Sequence, residues 1–243
     1  MLTASSLALV LSLVGQAPAV RSLETYVYPL AKAMNCPPVE IDVTEVPAAK
    51  QWALAASALV QDWYPKITQL LATDGWDPLT RSIRSKPFEP PEAIKLIFKK
   101  ELDVPAYASG GTITINGKWI TQHPDDLGMV VHELTHVIQN YGGRRVPGWL
   151  VEGIADYIRW WRYEPELHAG PGRTKINPDK AKYTDSYRTT AMWLAWLSRR
   201  YDMRLVPALD NAMRDGEDPV PLFKKLTGKE PEELFKEFVA AQK

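Results

Sequence analysis

The 243-residue chain balances 29 lysines and arginines against 29 aspartates and glutamates, and is 45% hydrophobic and 24% charged. That composition excludes a collagen-like or wholly disordered polymer, and it excludes a globally basic surface that would recruit nucleic acid or anionic lipid. Cys36 is the only cysteine, which excludes an intramolecular disulfide framework and a cysteine-rich metal cluster.

The first twenty residues, "MLTASSLALVLSLVGQAPAV", hold an apolar stretch from Leu7 to Val14, then Ala17-Pro18-Ala19, the small-x-small form of a signal cleavage site. We read residues 1–20 as an export signal, with secretion or a periplasmic location as the consequence. No lysine or arginine precedes Arg21, and a buried N-terminal helix is the alternative. The stretch falls short of the roughly 20 apolar residues needed to span a bilayer, so stable membrane insertion is not expected. The remainder, 21–243, reads as one domain, with an α/β part over about 39–141 and a helical part over about 142–243.

"VEIDVTEV" (39–46) alternates like a half-buried strand, and Pro47 suits the first turn of a helix through "AAKQWALAASALVQDW". Pro65 predicts a break or kink there. "FEPPE" (88–92) is a rigid connector, "AIKLIFKKE" (93–101) has strand composition, and "TITI" (112–115) is a short strand after Ser109-Gly110-Gly111. From Asp125 the reading turns helical, with Asp125 or Asp126 as N-cap. Helices follow over "VVHELTHVIQ", "WLVEGIADYIRWW", "DSYRTTAMWLAWLSRRY", "RLVPALDNAMR" and "PEELFKEFVAA", with a polar loop over 164–182. Trp193 and Trp196 read as helix packing, whereas Trp160 and Trp161 are candidates for a cleft wall.

Two of the four histidines, His132 and His136, lie four apart, with Glu133 after the first. On a helix this spacing points both imidazoles at one place and leaves Glu133 about 100° around, near a bound water. It is the His-Glu-x-x-His pattern of zinc peptidases. A catalytic zinc needs a third donor and a position left to water. Glu152 and Asp156, again four apart on an apolar helix, fit as metal ligand and as acceptor for the second ring N–H of His132 or His136. Their alternative is a pair of half-exposed acids. Tyr183 and Tyr187 are candidate donors to a tetrahedral oxyanion, or simply core residues. The stretch 107–117 offers either an edge strand for an extended peptide or an interior strand. His123 reads as a turn residue, and His168 lies in the polar loop; neither is placed in the site.

"HELTH", followed by "PGWLVEGIADY", "YTDSYRTTAMWLAWL" and "LTGKEPEELF", resembles the plant basic secretory protein family and its bacterial relatives, zinc metallopeptidases with a gluzincin-type site. The resemblance runs over about 39–240. It implies an α+β, zincin-like fold, one Zn²⁺, His132, His136 and Glu152 as ligands, and Glu133 as general base. It also favours Tyr187 over Tyr183, since the family has a tyrosine before this helix. The expected substrate is a peptide or protein, and a monomer is assumed. The chain has no net charge, so a binding role founded on positive charge does not transfer. A non-catalytic secreted binding protein that keeps a structural metal is the rival reading.

Overall fold

The computed structural model describes residues 35–71, 76–77, 82–83, 88–165 and 175–242. The export signal expected at 1–20, and residues 166–174 of the polar loop with His168 among them, lie outside the described residues. Among the described residues there are eight α-helices, a four-stranded sheet and a two-stranded one, a mixed α+β arrangement. No described helix is long and apolar enough to cross a membrane.

In the main sheet, β1 (Val39–Asp42), β4 (Ile94–Lys99) and β6 (Thr112–Asn116) run parallel, and β5 (Ala106–Ser109) closes one edge antiparallel to β6. The second sheet pairs β2 (Trp76–Asp77) with β3 (Ser82–Ile83). β4 alternates buried Ile94, Leu96 and Phe98 with the less buried Lys95, Ile97 and Lys99, whereas central β6 is buried at four of its five positions. The stretch 107–117 therefore divides: "TITI" is interior, and the free edge belongs to the shorter β5 before it.

Helix α1 (Lys50–Leu70) continues through Pro65 without interruption. The expected break does not occur because Val60, Tyr64, Ile67 and Thr68, on both sides of the proline, are sunk in one core. The carbonyl that Pro65 cannot bond is that of Gln61, on the exposed face, where water can satisfy it. Helix α2 (Gly117–Gln122), not anticipated, is capped by Asn116, whose side chain accepts from the N–H groups of Lys118 and Trp119. The same amide donates to the carbonyls of Leu102 and Val104 and so pins the approach to β5.

Helix α3 (Gly128–Gln139) is buried at eleven of its twelve positions. Neither Asp125 nor Asp126 caps it; its N-cap is Leu127. Asp126 is drawn away by Arg159 and by the Trp119 indole N–H at 2.9 Å. Glu164 instead stands against the first turn, where a Cβ added to Gly128 would lie 2.3 Å from its carboxylate. At the other end the Arg214 guanidinium donates to the carbonyls of Ile138 and Gln139, each at 3.1 Å. An anion at the N-terminus and a cation at the C-terminus both suit the helix dipole. Arg214 is held by Asp210 at 2.9 Å, and Asp210 also accepts from the Tyr141 hydroxyl at 2.8 Å.

Helix α4 (Gly148–Ile158) continues as a π-helical turn (Arg159–Tyr163) and crosses α5 (Tyr187–Arg200). Helices α6 (Leu205–Asp215), α7 (Pro221–Thr227) and α8 (Pro231–Ala240) complete the C-terminal part. Trp193 is fully buried and stacks on Phe223 with centroids 4.9 Å apart. The α4–α5 crossing is tight because Gly153 has no side chain: a Cβ there would lie 2.3 Å from Thr190 Cγ2 and 2.7 Å from its Cβ. Gly153→Ala is expected to destabilise the protein by about 1–3 kcal/mol through overpacking, with partial recovery in Gly153→Ala/Thr190→Ala. Denaturant melts of wild type and the two variants test this; a neutral Gly153→Ala would show that the crossing yields freely.

Candidate metal centre

The burial of α3 leaves His132, Glu133 and His136 to find partners inside the protein, and α4, β5 and α3 itself supply them. His132 Nδ1 lies 2.8 Å from Asp156 Oδ1. His136 Nδ1 lies 2.7 Å from Gln139 Oε1, and the Gln139 amide nitrogen donates to the Val151 carbonyl at 3.2 Å. That second bond orients the amide, so its oxygen faces the ring and Nδ1 must be the donor. Each imidazole thus commits its Nδ1 proton to an acceptor and turns Nε2 inward.

Three atoms meet there. His132 Nε2 is 3.1 Å from His136 Nε2 and 3.2 Å from Glu152 Oε2, and His136 Nε2 is 3.4 Å from the same oxygen. Three electron-rich atoms this close repel one another unless a positive charge lies between them. Tetrahedral coordination with bonds of about 2.0–2.1 Å separates donors by about 3.3–3.4 Å, so the spacing fits a small divalent ion. His132, His136 and Glu152 could hold such an ion among the described residues.

A proton is the competing occupant. Burial works against charge on His132, but the hydrogen bonds to Asp156 and Glu152 outweigh it and hold its pKa up at about 9. Burial pushes Glu152 up, yet its hydrogen bonds to the two imidazoles prevail and bring it down to about 2. Glu133 is 8% exposed, and burial raises its carboxyl above the usual range despite the nearby imidazoles. The Ala108 backbone N–H, on edge strand β5, faces that carboxylate and opposes the rise slightly.

These groups floor an open cleft of about 920 Å³. One wall is the β5 edge with Val104 and Tyr107; another is the turn Asp185–Thr189, with Trp160 beside it. Tyr187 lies in this wall, its ring 6.4 Å from that of His132 and nearly parallel to it. The Glu152 carboxylate, followed by burial, raises its phenol above the ordinary value. Tyr183 is placed elsewhere: its hydroxyl donates to Glu232 at 2.8 Å and its ring packs on Trp149 and Trp193. It does not line the cleft. His123 follows α2, with its ring 4.1 Å from Trp119, outside the cleft lining.

Gln139 and the Ala108 amide escaped sequence reasoning. Gln139 carried a signal, since it lies three residues after His136 on the same helical face. The Ala108 N–H carried none, because a backbone group is anonymous until strand pairing is known. A family model described as "Peptidase of plants and bacteria" matches residues 42–238. No curated protein and no solved structure matches the chain.

Removing either Nδ1 acceptor, in Asp156→Ala or Gln139→Ala, is expected to lower metal affinity about 10–100-fold, read by competition with a chromophoric chelator. Unchanged affinity in both would remove them from support of the imidazoles. Because His132 keeps its proton up to about pH 9, metal uptake at pH 7 should release about one proton and tighten as pH rises toward that value. Calorimetric titrations in buffers of different ionisation enthalpy measure the release, and a buffer-independent heat contradicts it.

Proposed function

Because the chain belongs to the BSP family, the peptidases of plants and bacteria, we propose that it is a secreted zinc-dependent endopeptidase, with residues 21–243 forming one zincin-like domain. The observation that carries this reading is the convergence of His132, His136 and Glu152 within 3.4 Å of one another. Glu133 borders the same cleft and is not among those three donors. Export rests on the signal-like composition of residues 1–20, and zinc on the nitrogen-rich donor set.

When bound, a zinc ion supplies Lewis acidity at this corner of the cleft. The remaining chemistry belongs to the side chains. Glu133, with its pKa raised by burial, takes a proton from the attacking water and returns it to the leaving amine. Tyr187 offers its hydroxyl to the oxyanion that forms as the carbonyl becomes tetrahedral. Asp156 and Gln139 hold the imidazoles in one tautomer.

The β5 edge suits an extended peptide. Its register with β6, and the Asn116 N–H bond to the Pro105 carbonyl, turn the odd-numbered backbone groups toward β6 and leave those of Ala106 and Ala108 directed away from it. A substrate strand can add there by backbone pairing.

Glu133→Gln is expected to keep the metal and lose at least about 10³-fold in turnover of a mixed peptide library. Measuring metal content and hydrolysis side by side tests it. Equal turnover in both proteins would remove Glu133 from the mechanism, and no turnover in either would favour the non-catalytic binding protein.

A further inference from the structure

Two arginines reach the cleft, and their charges are treated differently. Arg159 is neutralised, with Asp126 and Glu164 both on its guanidinium. Arg188, exposed on the wall turn immediately after Tyr187, is not ion-paired with any acid among the described residues. Its guanidinium instead stands 4.6 Å from the centroid of the Trp160 ring, which also carries Arg159 at 3.8 Å. Trp160 is 6% exposed, so an anchored ring restrains a side chain that would otherwise sweep through solvent.

The position is unfavourable for the helix it occupies. Arg188 is the second residue of α5, at the positive end of the dipole, where cations cost stability and anions are welcome. The helix end and the guanidinium therefore add their potentials at one spot on the wall. Carboxylates elsewhere in the cleft already face the metal corner: Asp156 is bonded to His132, Glu152 to both imidazoles, and Glu133 lies under the influence of the same two rings. Asp185, on the same turn, accepts from the Lys182 backbone N–H.

We propose that Arg188, braced on Trp160, is the substrate-selecting residue of this cleft, and that it binds a carboxylate of the peptide. This rests on the peptidase reading above. A guanidinium fork matches a carboxylate with two parallel N–H···O bonds. The carboxylate can come from an aspartate or glutamate side chain near the scissile bond or from a free C-terminus close to it. The shared chemistry is the same.

The test uses the metal-loaded full chain and two matched sets of quenched peptides. One set exchanges Glu for Gln at each position around the cleaved bond, with an amidated C-terminus. The other compares free-acid and amide C-termini at increasing distance from that bond. Each result is a ratio of kcat/KM measured on one preparation, so it does not depend on the fraction of a variant that is folded.

For wild type the carboxylate-bearing member is expected to be favoured about tenfold or more in one of the two sets. Which set responds names the source. Arg188→Gln should bring the ratio to about one, Arg188→Lys should retain part of it, and Arg188→Glu should turn it below one. A wild-type ratio near one in both sets overturns the inference, as does a preference that survives Arg188→Gln. Cleavage of the neutral peptides separates the two levels: if wild type cleaves no peptide, the peptidase reading falls, whereas cleavage without carboxylate preference removes only Arg188.

Discussion

A helix with almost no solvent face is the constraint from which the rest follows. Helix α3 is packed by α1, α4 and β5, yet it carries two imidazoles and a carboxylate. Charge and hydrogen-bonding capacity cannot be left bare in such surroundings without a penalty of several kcal/mol. Particular neighbours therefore supply specific answers. Helix α4 brings Glu152 and Asp156, β5 brings the Ala108 N–H, and the helix uses its own Gln139 for the second imidazole. With its ends matched by Glu164 and Arg214, the helix has little freedom to slide or rotate. That rigidity allows donor atoms on two helices to hold their spacing.

Glu152 and the wall turn are coupled through the tight place between α4 and α5. Gly153 follows the proposed ligand directly, and Thr190, which lies against it, is three residues after Tyr187. A shift of α5 by even a few tenths of an ångström must move the turn bearing Tyr187 and Arg188 relative to the metal corner. A glycine within a helix costs about 1 kcal/mol against alanine. Here that cost is offset by an approach no other residue permits.

Much of this was legible from residue order. The spacing of His132, Glu133 and His136, and of Glu152 and Asp156, is helical, and helical spacing survives without knowledge of tertiary partners. The long helices were readable for the same reason, and the strands expected at 93–101 and 112–115, found at 94–99 and 112–116, were readable from their composition. What escaped depends on non-local pairing. The N-cap assigned to Asp125 or Asp126 failed because Arg159, 33 residues away, claims Asp126. Pro65 failed to break α1 because burial on both sides outweighs one lost hydrogen bond. The identity of the edge strand could not be known before β5 had paired with β6. Tyr183 and Tyr187 are equivalent by type and spacing, and a few backbone angles send one to the cleft and the other to an aromatic cluster.

Those angles show how the wall is set. Ser186 and Tyr187 both have positive φ, 63° and 45°, a region that costs a non-glycine residue on the order of 1–3 kcal/mol. Such a turn persists only when its flanks are fixed. On the preceding side Tyr183 is anchored by Glu232 and by Trp149, Trp193 and Phe235. On the following side the Thr190 hydroxyl reaches back to the Tyr183 carbonyl at 2.7 Å, closing the turn on itself. Tyr183 thus sits outside the cleft yet bears on it. Its anchorage supports the conformation that delivers Tyr187 over His132 and Arg188 onto Trp160. The floor of the cleft is made precise by burial, and this wall by strain held between two fixed points.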